Sequence, residues 1–99
     1  KDHYVTKIDN GDWIKVREVE FGAASPEHMT IEVLNYKASG LVEFYLDSLG
    51  GNPFASFNVT ADQVITMELL RPVTGRHDVY ILFRGGDGQM FDFDWWKVN

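Results

Sequence analysis

The 99-residue chain is 44% hydrophobic, 14% aromatic and 24% charged, a size that fits one domain and not two. There is no cysteine, so disulfides and thiolate metal sites are excluded. Nine Lys and Arg against fifteen Asp and Glu give a formal charge of −6; with no basic cluster, a polyanion such as nucleic acid is repelled.

A folded chain of this length buries roughly two-thirds of its extended surface, so a core needs no staples. No apolar run approaches the roughly 18 residues of a membrane span. No basic-then-apolar leader opens the chain, so a secretion signal is expected to have been removed or to lie upstream.

The dominant period along the chain is two. Apolar and charged residues alternate from Trp13-Ile14-Lys15-Val16, and this strand is expected to run on to about Phe21. Met29, Ile31 and Val33 point one way, Thr30 and Glu32 the other. Val42, Phe44 and Leu46 alternate with Glu43, Tyr45 and Asp47; Ala55, Phe57 and Val59 with Ser56 and Asn58; Ile65, Met67 and Leu69 with Thr66 and Glu68. Val79-Tyr80-Ile81-Leu82-Phe83 is apolar on both faces, the mark of a central strand. The aromatic stretch Met90 to Val98 is the last strand. Turn signals separate these runs: Asp9-Asn10-Gly11-Asp12, Ser25-Pro26, Ser39-Gly40, Gly50-Gly51-Asn52-Pro53, Thr74-Gly75 and Gly85-Gly86-Asp87-Gly88. Seven short strands at near-regular spacing, with no amphipathic helix, predict an all-β antiparallel sandwich over residues 1–99.

Catalytic signatures are thin. Asp92 and Asp94 share a strand face roughly 7 Å apart at Cα, but glycoside hydrolysis usually draws its two carboxylates from different segments and needs one raised pKa. His3, His28 and His77 lack ligand spacing. No serine lies in a nucleophile elbow, and the Gly85–Gly88 run lacks the lysine and helix of a phosphate loop. Asp9, Asp12, Asp87, Asp92 and Asp94 are oxygen donors suited to calcium, although the EF-hand spacing is absent. Asn58-Val59-Thr60 is a glycosylation sequon.

The aromatic content is the more pointed signal, with seven Phe, four Tyr and three Trp. Sugar recognition uses flat apolar rings with a few polar groups beside them. Phe44, Phe57, Phe83 and Phe93 are expected in the core. Exposure of Trp13, Tyr45, Tyr80, Trp95 and Trp96 is left open by the pattern.

Four motifs in order resemble the family-six carbohydrate-binding modules. Ile8-Asp9-Asn10-Gly11-Asp12-Trp13-Ile14 followed by Val19-Glu20-Phe21-Gly22 resembles the "GDWI…VDFG" opening. Val42-Glu43-Phe44-Tyr45-Leu46-Asp47-Ser48 is similar to the "IEIRLDS" strand. Gly75-Arg76-His77-Asp78-Val79-Tyr80-Ile81-Leu82-Phe83 resembles "G-HDVYLVF", and Phe91-Asp92-Phe93-Asp94-Trp95-Trp96 the closing "FN-x-DWF".

The resemblance implies a jelly-roll sandwich without catalysis or a required cofactor. It implies attachment to a secreted glycoside hydrolase, family forty-three included, and an extracellular, cell-surface or periplasmic setting. Family members open about thirty residues earlier with an "AE-x-Y" strand. No counterpart is present here, which leaves that strand to another chain or to sequence outside this one. A structural calcium would sit beside the closing acid, Asp94, but its usual partners lie in that opening segment. The loop-end sugar cleft of the family falls on Lys7, a position near Asp62 or Gln63, and Asp92. Both stacking rings are thereby lost, and Lys7 facing Asp92 is expected to form an ion pair that closes the cleft. The second cleft, on the concave sheet face, falls on Trp13 and Asp47, with Lys15 beside Trp13. This is the better candidate.

Two functions follow. In the first, the module binds a plant cell-wall polysaccharide, xylan-like or a β-glucan, through Trp13, Asp47, Asp92, Lys7 and Lys15. In the second, it is a structural accessory domain with degenerate clefts that packs on a catalytic domain or partner chain.

Overall fold

The computed structural model describes residues 8–86 and 88–99. His3, Lys7 and Asp87 fall outside the described residues. Seven strands follow one another: β1 (Trp13–Glu20), β2 (His28–Leu34), β3 (Gly40–Leu46), β4 (Ala55–Val59), β5 (Gln63–Glu68), β6 (Arg76–Gly85) and β7 (Asp92–Val98). β1 to β5 coincide with apolar–polar alternations in the sequence, β6 with the run apolar on both faces and β7 with the aromatic stretch. There is no helix among the described residues, and so none long and apolar enough to cross a membrane.

The strands form two antiparallel sheets. One has four strands in the order β1-β6-β3-β4, the other three in the order β5-β2-β7. Strand β6, apolar on both faces, lies inside the larger sheet between β1 and β3. The inward rows are Met29, Ile31 and Val33 from β2, Val42 and Phe44 from β3, Ala55, Phe57 and Val59 from β4, and Val79, Ile81 and Phe83 from β6, all buried. Phe44 is the hub: its ring lies 5.5 Å from Trp96, 5.8 Å from Phe57, 6.1 Å from Phe54 and 6.3 Å from Phe93, all tilted or edge-on, the arrangement that ring quadrupoles favour. Phe44, Phe57, Phe83 and Phe93 are all core residues, as their positions predict.

Strand β5 keeps its alternation least well. Met67 pairs with the buried Met29 and shares its face, yet it is 44% exposed. β5 lies at the edge of the three-stranded sheet.

Two bulges break the ladders. Between β1 and β6, Val16 pairs with Val79 and Val19 with His77, so β1 carries one extra residue there, with Glu18 at φ 52°. Between β2 and β7, Glu32 pairs with Trp95 and Val33 with Phe93, so Asp94 is the extra residue. A bulge twists its strand and re-aims nearby side chains. The alternation pattern contains neither bulge.

Gly40 and Gly85 face each other across β3 and β6. A Cβ on Gly40 would lie 2.6 Å from Met90 Sδ and 3.0 Å from the Arg84 carbonyl, and one on Gly85 would meet the same sulfur. The pair therefore makes room for Met90, whose backbone joins Ile8, Lys37 and Ala38 by hydrogen bonds of 2.9, 2.7 and 3.0 Å.

Candidate functional site

The outer face of the four-stranded sheet carries the side chains that alternate away from the core. The turn Asp9–Asp12 delivers the first of them. Asp12 N–H donates to the Asp9 carbonyl at 3.1 Å, and Gly11 takes φ 91°, a backbone region that glycine enters without penalty. The turn is pinned to β6: Gly11 N–H donates to the Phe83 carbonyl at 2.7 Å, and Gly85 N–H donates to Asn10 Oδ1 at 3.0 Å. Trp13 thus starts β1 at a fixed height beside Leu82. Its indole is 53% exposed and lies 5.8 Å from the Tyr80 ring, tilted by 40°. Lys15 comes next on the same face, opposite Tyr80, with its ammonium 5.4 Å from that ring and 3.6 Å from Asp78 Oδ2.

The register extends this platform onto β3. Leu82 pairs with Glu43, and Tyr80 with Tyr45. Trp13 and Glu43 therefore lie in one row two strands apart, roughly 10 Å at the usual strand spacing. Glu43 accepts from Arg84 Nε at 2.6 Å and from the Tyr45 hydroxyl at 3.0 Å, and its side chain is only 15% exposed. Burial, and then the Glu43 carboxylate, push the Tyr45 phenol up, with Arg84 acting in the opposite sense. Glu43 also pushes the Arg84 guanidinium up. The arrangement is an aromatic floor of Trp13 and Tyr80 with a cation on one side and a fixed carboxylate–guanidinium pair on the other. Beyond Arg84, an open depression of about 570 Å³ is lined in part by Leu41, Asn58, Thr60 and Gly86.

Asp47 is not brought to Trp13. It follows β3 at the level of Asp78, four residues from the Leu82 row and roughly 13 Å along the strands. Asp47 sits at φ 65° and both its oxygens are engaged: Oδ2 with His77 Nδ1 at 2.9 Å, and Oδ1 accepting from Asp78 N–H at 3.1 Å. The His77 bond holds the Asp47 carboxyl below the usual carboxylate range, and Asp47 in turn pushes His77 up. Glu43, Tyr45 and Arg84 take the place on the platform that the sequence reading gave to Asp47. The signal was present in the alternation, which puts Glu43 and Trp13 on outward positions, but only the register brings them into one row.

Asp92 lies at the loop end of the sandwich, where its Oδ2 accepts from Asn35 Nδ2 at 2.7 Å. Nearby, Tyr36 N–H donates to Asp62 Oδ1 at 2.7 Å. Asn35 and Tyr36 were not singled out in the sequence. Lys7, the expected partner of Asp92, lies outside the described residues. Asp94 occupies the β7 bulge. Among the described residues, no group of three or more His, Asp or Glu that could hold a metal ion forms around it or elsewhere.

The model of the family described as "Carbohydrate binding module (family 6)" matches residues 1–99. The chain belongs to carbohydrate-binding module family 6. It is 35% identical over 104 residues to an arabinoxylan arabinofuranohydrolase of Bacillus subtilis, covering 99% of this chain and 20% of that protein. It is 33% identical over 101 residues to the enzyme of the same name from Paenibacillus polymyxa, covering 96% of this chain and 16% of that one. The module thus spans a fifth or less of these relatives. Among solved structures, it superimposes with a TM-score of 0.87 and 33% identity on a glycoside hydrolase family 43 arabinoxylan arabinofuranohydrolase from Bacillus subtilis in complex with cellotetraose, covering 97% of this chain and 21% of that one. A family 6 module from Clostridium cellulolyticum in complex with xylose gives a TM-score of 0.81 at 26% identity, covering 93% of this chain and 74% of that one. The β-sandwich and the non-catalytic character of the module follow from this membership.

Proposed function

We propose that this carbohydrate-binding module holds a glycoside hydrolase against a plant cell-wall polysaccharide of the xylan or β-glucan type, and that it binds the glycan on the outer face of the four-stranded sheet. The observation that carries the reading is the open indole of Trp13 beside Tyr80, in one row with the Glu43–Arg84 pair. The indole supplies an apolar face for a sugar ring, Glu43 accepts from sugar hydroxyls, and Arg84 and Lys15 donate to them. The complexes of the relatives with cellotetraose and xylose support the choice of ligand class.

Calorimetry with xylan, arabinoxylan, laminarin and cellulose oligosaccharides tests this. Heat of binding with at least one, lost in Trp13→Ala, is expected; no heat with any of them rejects it.

A structural reading has one observation in its favour. On the outer face of the three-stranded sheet, Val64 (56% exposed) and Trp95 flank Glu32 in register, an apolar surface suited to packing on a catalytic domain. If no sugar binds, this reading takes precedence.

A further inference from the structure

His77 stands between two groups that only accept. Its Nδ1 lies 2.9 Å from Asp47 Oδ2, and its Nε2 lies 2.8 Å from the Thr74 carbonyl oxygen. A neutral imidazole carries one N–H, so one of these contacts would set a ring lone pair against an oxygen lone pair. Only the imidazolium donates to both. It then joins the end of β3 to the turn before β6.

The surrounding charges favour that form. Just after β3 comes Asp47; from β1, Glu20, with the Phe21 ring 6.2 Å away; on β6 itself lie Arg76 and Asp78. Arg76, the one cation in this set, is 3.6 Å from Glu20 and 3.7 Å from Glu18. The resulting shift of His77 is upward, led by its bond to Asp47.

A chain of contacts runs from this imidazolium to the platform. Asp47 Oδ1 accepts from Asp78 N–H, and Asp47 N–H donates to the Asp78 carbonyl at 2.8 Å. Asp78 Oδ1 accepts from Glu18 N–H at 3.0 Å and so fixes the β1 bulge. Asp78 Oδ2 faces Lys15, which lies over Tyr80, which packs on Trp13. Asp47 and Glu18 both hold left-handed backbone, at φ 65° and 52°. For non-glycine residues such a conformation persists only where surrounding bonds enforce it.

We propose that the His77 imidazolium holds the open sheet face in its binding form, so that losing its proton loosens the Asp47–Asp78–Lys15 chain and weakens glycan binding at Trp13. The inference rests on the sugar-binding reading above and adds a pH control to it. The module would bind more tightly in mildly acidic than in alkaline medium.

The test follows two signals on the wild-type protein between pH 5.5 and 9.5. The first is the Trp13 indole N–H resonance in the ligand-free protein, assigned by loss in Trp13→Phe. The second is calorimetric affinity for cellotetraose and xylohexaose. The Trp13 resonance is expected to move with the His77 titration, and Kd to rise three- to ten-fold across it. Both effects should vanish in His77→Gln and persist in His28→Gln. A stationary Trp13 resonance while His77 titrates, or an affinity equal at both ends of the range, overturns the switch. Absence of binding to either sugar at every pH tells against the sugar-binding reading, and the Trp13 titration then decides on the relay by itself.

Discussion

Replacing Trp13 with Ala separates binding from folding. A tryptophan side chain offers roughly 150–250 Å² to its surroundings, and Trp13 is 53% exposed, so about 80–130 Å² is open to a ligand. A sugar ring lying on one side of the indole would remove about 60–100 Å² of this from water, worth about 1.5–2.5 kcal/mol at roughly 25 cal/mol per Å². Expressed as affinity, that is a roughly ten- to seventy-fold rise in Kd. The fold should survive, because Trp13 rests on Tyr80 and lies outside the buried core cluster. A stability loss of about 1 kcal/mol is expected, seen as a fall in Tm of roughly 4–8 °C. Calorimetry against the best oligosaccharide, with a thermal melt of the same sample, measures both quantities. A folded Trp13→Ala protein that binds with the wild-type Kd refutes the assignment of this face.

Three more outcomes follow from the structure. Phe44→Ala empties the ring cluster at the centre of the core and should cost about 3–5 kcal/mol, read as a lower urea midpoint; a loss below about 1 kcal/mol contradicts its role as hub. Glu43→Gln removes the carboxylate charge that, after burial, raises the Tyr45 phenol, so ultraviolet titration should show Tyr45 ionising at lower pH than in the wild type, with an unchanged titration as the contrary result. The Asp47–His77 pair gives a window of stability with defined edges. His77 is raised, so its contribution is complete below the ordinary imidazole value of about 6.5 and fades as pH rises through its folded value. Asp47 is lowered, so its contribution is complete above about 3.9 and is lost as pH falls through its folded value. Wild type minus His77→Gln, measured by denaturant unfolding, should therefore be largest from about pH 4 to 6.5. It should be small, because Asp47 is 60% exposed and solvent screens the pair. A difference that grows toward pH 9 contradicts the sign.

The fold was largely legible in the sequence, because period two is a local property. Met29, Ile31 and Val33 announce an inner row without any knowledge of their neighbours, and Val79 to Phe83 announces a strand buried on both faces. Strand order was not legible, since it depends on which apolar rows meet across the core. The candidate site was legible only in part. Trp13 and Lys15 fall on the face expected of them. Asp47 was assigned to the same cleft from its motif, but its carboxylate lies within reach of His77 and of a backbone N–H, and nothing in the local pattern discloses those partners. Tyr45 was left open and is 5% exposed; its hydroxyl bonds Glu43 two positions away, and Glu43 in turn is held by Arg84, 41 positions along the chain from it. The bulges at Glu18 and Asp94 add single residues that alternation cannot register.

The pairing of β1 with β6 has a consequence for biogenesis. Trp13 meets Leu82 only after β2 to β5 and most of β6 have been synthesised. Until then β1 has no neighbour in its sheet among the described strands, and its indole has no Tyr80 to rest against. Topologies dominated by such distant partners assemble in milliseconds to seconds and not in microseconds. The surface we assign to glycan capture is therefore among the last parts of this sandwich to form. A chain released before β6 is complete would carry Trp13 and none of the face that makes it useful.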